Sequence, residues 1–177
     1  SGEAEDYTVL VNNTVSCMPP SAFASSNLTT TSVDLAWTAG ATETEWEVIH
    51  GVAGFDPNNG GTTVTVNTTP SYALTSLVAS TEYDFYVQAV CGTNDLSAKI
   101  GPVSVKTLCT SATVPYVMDF ESITPPAIDF CTSIENVGSG NDWETVFNGI
   151  NGFSSNVLRY GFSNSASADV WFYTQGI

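Results

Sequence analysis

Positive charge is what this sequence has least of. Lys and Arg number 3 against 18 Asp and Glu, a formal net charge of −15 over 177 residues. Binding DNA or RNA depends on cations that displace counterions from phosphates, so the balance excludes a nucleic-acid partner and disfavours an anionic membrane surface. No apolar run approaches the roughly 18 residues that cross a bilayer, so direct membrane insertion is not expected either. Histidine is almost missing: His50 is the single imidazole available as a catalytic base. Its alternation with Trp46 and Val48 reads as a packed or half-exposed strand position, not as the base of a triad. No G-x-S-x-G elbow, H-E-x-x-H helix or phosphate-binding glycine loop occurs. A C-x-x-C pair is lacking too, which with one His argues against structural zinc. Neither Met nor a basic n-region precedes Ser1, so an export signal is expected to lie outside this chain. Nothing here predicts an enzyme.

What is present suits a β protein. Hydrophobic residues make up 42% and mean hydropathy is +0.08, enough to bury a core in one to two domains. Charged residues are only 12%, so the surface must be largely Thr, Ser, Asn and Gly, which favours strands and turns over helices. Apolar alternation places Val33, Leu35 and Trp37 on one face of a strand over Thr31–Thr38. The same period predicts strands over Glu45–Gly51, Gly61–Val66, Thr81–Cys91 and Lys99–Thr107, the last interrupted by Gly101-Pro102. Trp37, Trp46, Leu77, Tyr83, Phe85 and Val87 are the expected core.

Several local signals read as ordinary structure. Glu45 and Glu47 share one strand face and lack the asymmetric cleft that acid–base catalysis requires. Asp56-Pro57-Asn58-Asn59-Gly60-Gly61 looks like the start of a calcium loop, yet Asn67 stands where the bidentate Glu is needed, so a turn is expected. Asn12, Asn27 and Asn67 begin N-glycosylation triplets, which arise by chance in a Thr- and Asn-rich chain. Trp143, Trp171 and Tyr86 could form a sugar-stacking platform, but large aromatics on strands normally pack in a core. Cysteine is even in number and widely spaced: Cys17, Cys91, Cys109 and Cys131. That pattern reads as two disulfides made in an oxidising compartment, with four buried thiols as the alternative. Three connectivities are open.

The stretch L-T-S-L-V-A-S-T-E-Y-D-F-Y-V-Q-A-V, Leu74 to Val90, resembles the fibronectin type III signature around its sixth strand. Leu77 matches the Leu that ends the fifth strand, Thr81 and Tyr83 match the tyrosine corner, and Trp37 matches the second-strand core Trp. The resemblance covers about half the chain and implies an all-β fold, a seven-stranded sandwich over 17–109. It also implies the disulfide pairing: in such a sandwich the sixth strand returns to the pole where the chain enters, which brings Cys91 to Cys17. Cys109 leaves at the other pole, so its partner would be Cys131.

The flanks resemble other modules. S-G-E-A-E-D-Y-T-V-L-V, Ser1–Val11, is similar to the closing strand of the GEVED domain, so 1–16 would be the tail of a preceding domain. V-P-Y-V-M-D-F-E-S (Val114–Ser122), Asn141-Asp142-Trp143 and A-D-V-W-F-Y-T (Ala168–Thr174) resemble the opening of a MAM-like or cleaved-adhesin jelly roll. Residues 110–177 would then be a partial jelly roll. That resemblance implies a calcium site at Asp119, Glu121 and Asp169, whose hard oxygens suit Ca²⁺. It further implies a secreted or cell-surface protein of Bacteroidota, exported by the type IX system. The expected role is non-catalytic: structural or binding modules of an adhesin-like protein, partnered by other domains of the parent chain and by surface glycans or proteins. The alternatives are an accessory region of a secreted hydrolase and a carbohydrate-binding module.

Overall fold

The computed structural model describes residues 17–113, 117–148, 155–161 and 169–174. The segment 1–16, expected as the tail of a preceding domain, lies outside the described residues, as does the Asn12 triplet. Among the described residues every regular element is a strand. Two compact units are present: one holds most of residues 17–105, the other holds 106–177 together with the loops 29–31 and 76–81.

The first unit is a β-sandwich. Strands β1 (Ser21–Ser26), β2 (Val33–Thr38) and β5 (Ser71–Leu74) form a three-stranded antiparallel sheet in the order β1-β2-β5. The second sheet runs β4 (Thr62–Asn67), β3 (Glu45–Val52), β6 (Glu82–Gly92), with the two-residue β7 (Asp95–Leu96) and β8 (Ile100–Lys106) both paired to β6. Seven strands of ordinary length are thus joined by one short addition. Each long strand has one apolar face, so period-two alternation turns all its bulky residues inward at once. Val33, Leu35 and Trp37 of β2 are buried, as are Trp46 and Val48 of β3 and Phe85, Val87 and Ala89 of β6. Trp37 and Trp46 meet edge to face across the two sheets, with ring centroids 5.8 Å apart. All six expected core residues are buried.

One assignment is corrected. Leu74 ends β5, whereas Leu77 lies beyond it. Leu77 is held by its own N–H, which donates to the Thr31 carbonyl at 3.0 Å. Its burial therefore comes from a loop and not from strand alternation, so the match of Leu77 to the end of the fifth strand falls three residues beyond β5.

The second unit contains β9 (Ser133–Asn136), β10 (Trp143–Asn148), β11 (Ser155–Tyr160) and β12 (Val170–Tyr173). They form two antiparallel ladders, β10-β11 and β9-β12. Trp143 links the ladders by packing on Tyr160 (5.6 Å) and on Phe172 (6.3 Å). The Asn156 side-chain amide donates to the carbonyls of Phe120 (3.0 Å) and Ile123 (2.8 Å), tying the preceding loop to β11. Lys106 places its ammonium 3.5 Å above the Phe130 ring, an attraction between cation and ring face.

Candidate functional site

The sandwich's chemistry-bearing residues gather on the outer face of the larger sheet. Alternation turns Glu47, Ile49, Asp84, Tyr86 and Gln88 outward, yet Asp84 is only 7% exposed and Gln88 only 4%. For Asp84 the cause is the β3–β4 loop, which folds back over that part of the sheet. Phe55 from that loop lies edge to face on Tyr86 (5.6 Å). The fold-back needs two glycines beneath the ring. A Cβ on Gly51 would stand 2.9 Å from Phe55, and one on Gly61, at φ +82°, would stand 2.5 Å from it. Only glycine meets both the clearance and the backbone conformation at Gly61.

Under this lid the Asp84 carboxylate accepts the Gly54 N–H at 2.7 Å and the Ser104 hydroxyl at 2.5 Å. Gln88 donates to Glu47 at 2.6 Å. Asp56 accepts the Asn58 N–H and the Asn59 amide, which holds its carboxyl below the usual range and makes the segment a turn. The group on the outer face has a structural use: two short donors, one of them a loop N–H, tie the buried Asp84 carboxylate to the β3–β4 loop and to β8. Asp84→Ala removes two charge-assisted hydrogen bonds that hold the loop and is expected to cost about 1.5–3 kcal/mol, read from urea midpoints. A loss under about 0.5 kcal/mol would mean the loop holds without it.

His50 stacks on Phe85 with centroids 6.2 Å apart. Burial lowers its pKa from 6.5, so the unfolded chain takes up the proton first as pH falls. Neutral His50 therefore contributes fully above about pH 6.5, and the contribution is lost as pH drops toward the lower folded value. His50→Gln is expected to flatten that part of the stability profile between about pH 7 and 5.5. Identical slopes in both proteins would remove His50 as the cause.

The four cysteines pair as Cys17–Cys91 and Cys109–Cys131, with S–S distances of 2.11 and 2.17 Å. None is left as a thiol. An open cleft of about 450 Å³ borders Cys17–Cys91, lined in part by Met18, Glu43, Thr44 and Asp95. Desolvation would raise the Glu43 pKa, but backbone N–H groups of Ala41, Glu43 and Met18 outweigh it and the net shift is downward. Glu43 thus ties Met18, ahead of β1, to the β2–β3 turn at Ala41.

The carboxylates expected to hold calcium are not brought together. Asp119 accepts the Glu121 N–H (2.8 Å), Glu121 accepts the Asn156 N–H (2.9 Å), and Asp169 accepts the Trp171 indole N–H (3.0 Å). Among the described residues no group of three or more His, Cys, Asp or Glu side chains could hold a metal ion. Asp119 and Asp169 accept from their own segments and Glu121 from β11, uses that a linear motif cannot distinguish from ligation. The expectation that Trp171 packs in a core is also corrected: it is 58% exposed, with Tyr173 of the same strand 46% exposed. Trp143 is the half-buried member of the pair.

Two sheets closed over a Trp–Trp contact define a β-sandwich module of the fibronectin kind. Residues 18–102 match the fibronectin type III domain family and form such a domain. Among curated proteins the chain is similar to chitinase Chi52 of Paenibacillus xylanexedens, 36% identical over 88 residues. Chitinase A1 of Niallia circulans is also 36% identical over 88 residues, and exoglucanase B of Cellulomonas fimi 38% over 88. Each match covers 50% of this chain but only 16%, 12% and 8% of the respective relative. The chain therefore spans less than a fifth of the length of these relatives. Among solved structures it is similar to a fibronectin type III domain of human collagen α-1(XX), 21% identical, covering 60% of this chain and 99% of that one at a TM-score of 0.48. The FN5 domain of Drosophila Lar is 20% identical, covering 51% and 96% at a TM-score of 0.44.

Proposed function

We propose that this chain is a non-catalytic accessory region of a secreted protein, with its fibronectin type III domain acting as a spacer. The host favoured is a polysaccharide-degrading hydrolase whose catalytic domain lies elsewhere in the parent. The observation that carries this choice is the 36–38% identity, over 88 residues, to two chitinases and an exoglucanase. Two disulfides support an oxidising, extracellular setting. The chemistry on the sandwich supports a spacer, because Asp84 and Glu43 are spent on backbone donors and every thiol is oxidised. On the resemblance of its flanks to GEVED and MAM-like modules, the host is one of the type IX-exported surface proteins of Bacteroidota.

The test is the parent polypeptide, sequenced from peptides or its reading frame. A glycoside hydrolase domain on the same chain is the expected result. A parent built of tandem binding modules alone would overturn the hydrolase host and favour the adhesin-like one. The 177-residue chain itself should release no product from chitin or cellulose oligomers.

A further inference from the structure

The outer face of the β9–β12 ladder carries a site that the spacer role does not use. In an antiparallel pair, residues directly opposite each other share a face. Trp171 is opposite Glu135 and Tyr173 opposite Ser133. Phe172 turns the other way and packs on Trp143, so Trp171 and Tyr173 stand together on the side away from that packing. They are spaced about 6.7 Å apart along the strand. Both rings are exposed, and both are fixed in place at their polar ends. The indole N–H of Trp171 donates to Asp169 at 3.0 Å, and the Tyr173 hydroxyl donates to Glu135 at 2.8 Å. The Glu135 hydrogen bond raises the Tyr173 pKa further above 10, so the phenol remains the donor at neutral pH.

We propose that this face binds a neutral polysaccharide, with Trp171 and Tyr173 stacking on successive sugar rings and Asp169 and Glu135 accepting hydroxyl hydrogen bonds. Three features select this occupant. A second protein layer laid over the face would bury Glu135, Asp169 and Ser133 along with the rings, and desolvating two carboxylates costs more than the rings return. A pyranose instead offers C–H faces to the rings and a rim of hydroxyl donors to the carboxylate oxygens, so neither group is stranded. The net charge of −15, with two carboxylates on the face itself, repels anionic glycans and leaves neutral ones. The tethers also orient the rings before binding, which lowers the ordering cost of association. The platform is independent of whether the host is a hydrolase or an adhesin.

The test uses the whole 177-residue chain with chitohexaose, cellohexaose and polygalacturonate, followed by calorimetry and tryptophan fluorescence. Saturable binding of a neutral hexamer, with little dependence on salt, is expected. Trp171→Ala and Tyr173→Ala should each weaken it at least about tenfold. Tyr173→Phe, which keeps the ring, should retain most of the binding, and Phe147→Ala, exposed on the other ladder, should retain all of it. If Trp171→Ala fails to fold, Glu135→Gln and Asp169→Asn keep side-chain volume and should still weaken binding severalfold. No binding of either neutral hexamer overturns the proposal. So does binding that survives both aromatic deletions, or binding of polygalacturonate alone.

Discussion

Trp46→Ala is expected to lower the stability of the sandwich by about 3–5 kcal/mol, the usual range for an aromatic deleted from a packed core. Trp46 is 1% exposed and lies near the start of β3, a strand paired on both edges, opposite Val66 on one side and Ala89 on the other. Neither neighbour can swing into the space an indole leaves. Across the core its ring meets Trp37 at 5.8 Å and 70°, a geometry worth about 0.5–1.5 kcal/mol beyond area burial. Trp37 in turn touches Phe23 of β1 at 6.1 Å. The three rings thus connect the edge of one sheet to the middle of the other. A domain of this size has about 5–15 kcal/mol in total, so the variant should approach half-unfolding at physiological temperature. Urea titration followed by near-ultraviolet circular dichroism reads the change directly. A loss under about 1 kcal/mol would mean that the two sheets are held by something other than this aromatic chain.

How legible the fold was in the sequence depends on where each residue's neighbours come from. Val33, Leu35, Trp37, Phe85 and Val87 are apolar residues at every second position of their strands, so alternation alone turns them inward. Asp84 lies between Tyr83 and Phe85 and by the same rule reads as solvated, yet it is 7% exposed. What buries it is a loop from another part of the chain, and no period records that. Gly51, Phe55 and Gly61 were the available trace of the fold-back. Their meaning depends on an aromatic landing on two glycines, which is a tertiary fact. Trp171 fails in the opposite sense. A Trp on a strand normally packs in a core, but Asp169 two residues earlier supplies an exposed acceptor for its indole. An acidic residue two positions from an aromatic on a strand was the signal that could have marked the pair as outward. Of the carboxylates expected at the calcium site, Asp119 accepts the N–H of Glu121, a local bond that the sequence motif does not record.

Replacing Cys17 and Cys91 together by Ser is expected to cost about 4 kcal/mol, more than loss of the Cys109–Cys131 bond. The first bridge spans 74 residues of sequence, the second 22. In the chain-entropy account a crosslink stabilises by removing unfolded conformations, and the effect grows with the logarithm of the closed loop. Those separations give about 4.4 and 3.4 kcal/mol. The difference of about 1 kcal/mol sets the order of the two variants. The bridges also act on different parts of the chain. Cys91 lies in β6 and Cys17 precedes β1, so the first bridge fastens the start of the chain to the sandwich. Cys109 follows β8, and Cys131 precedes β9, so the second closes a loop within the second unit. Cys17→Ser/Cys91→Ser should therefore lower the sandwich's urea midpoint while leaving tryptophan signals from Trp143 and Trp171 little changed. Cys109→Ser/Cys131→Ser should do the reverse. Equal midpoint losses, or a larger loss for the shorter loop, would show that native contacts around the bridges outweigh loop closure in setting their contribution.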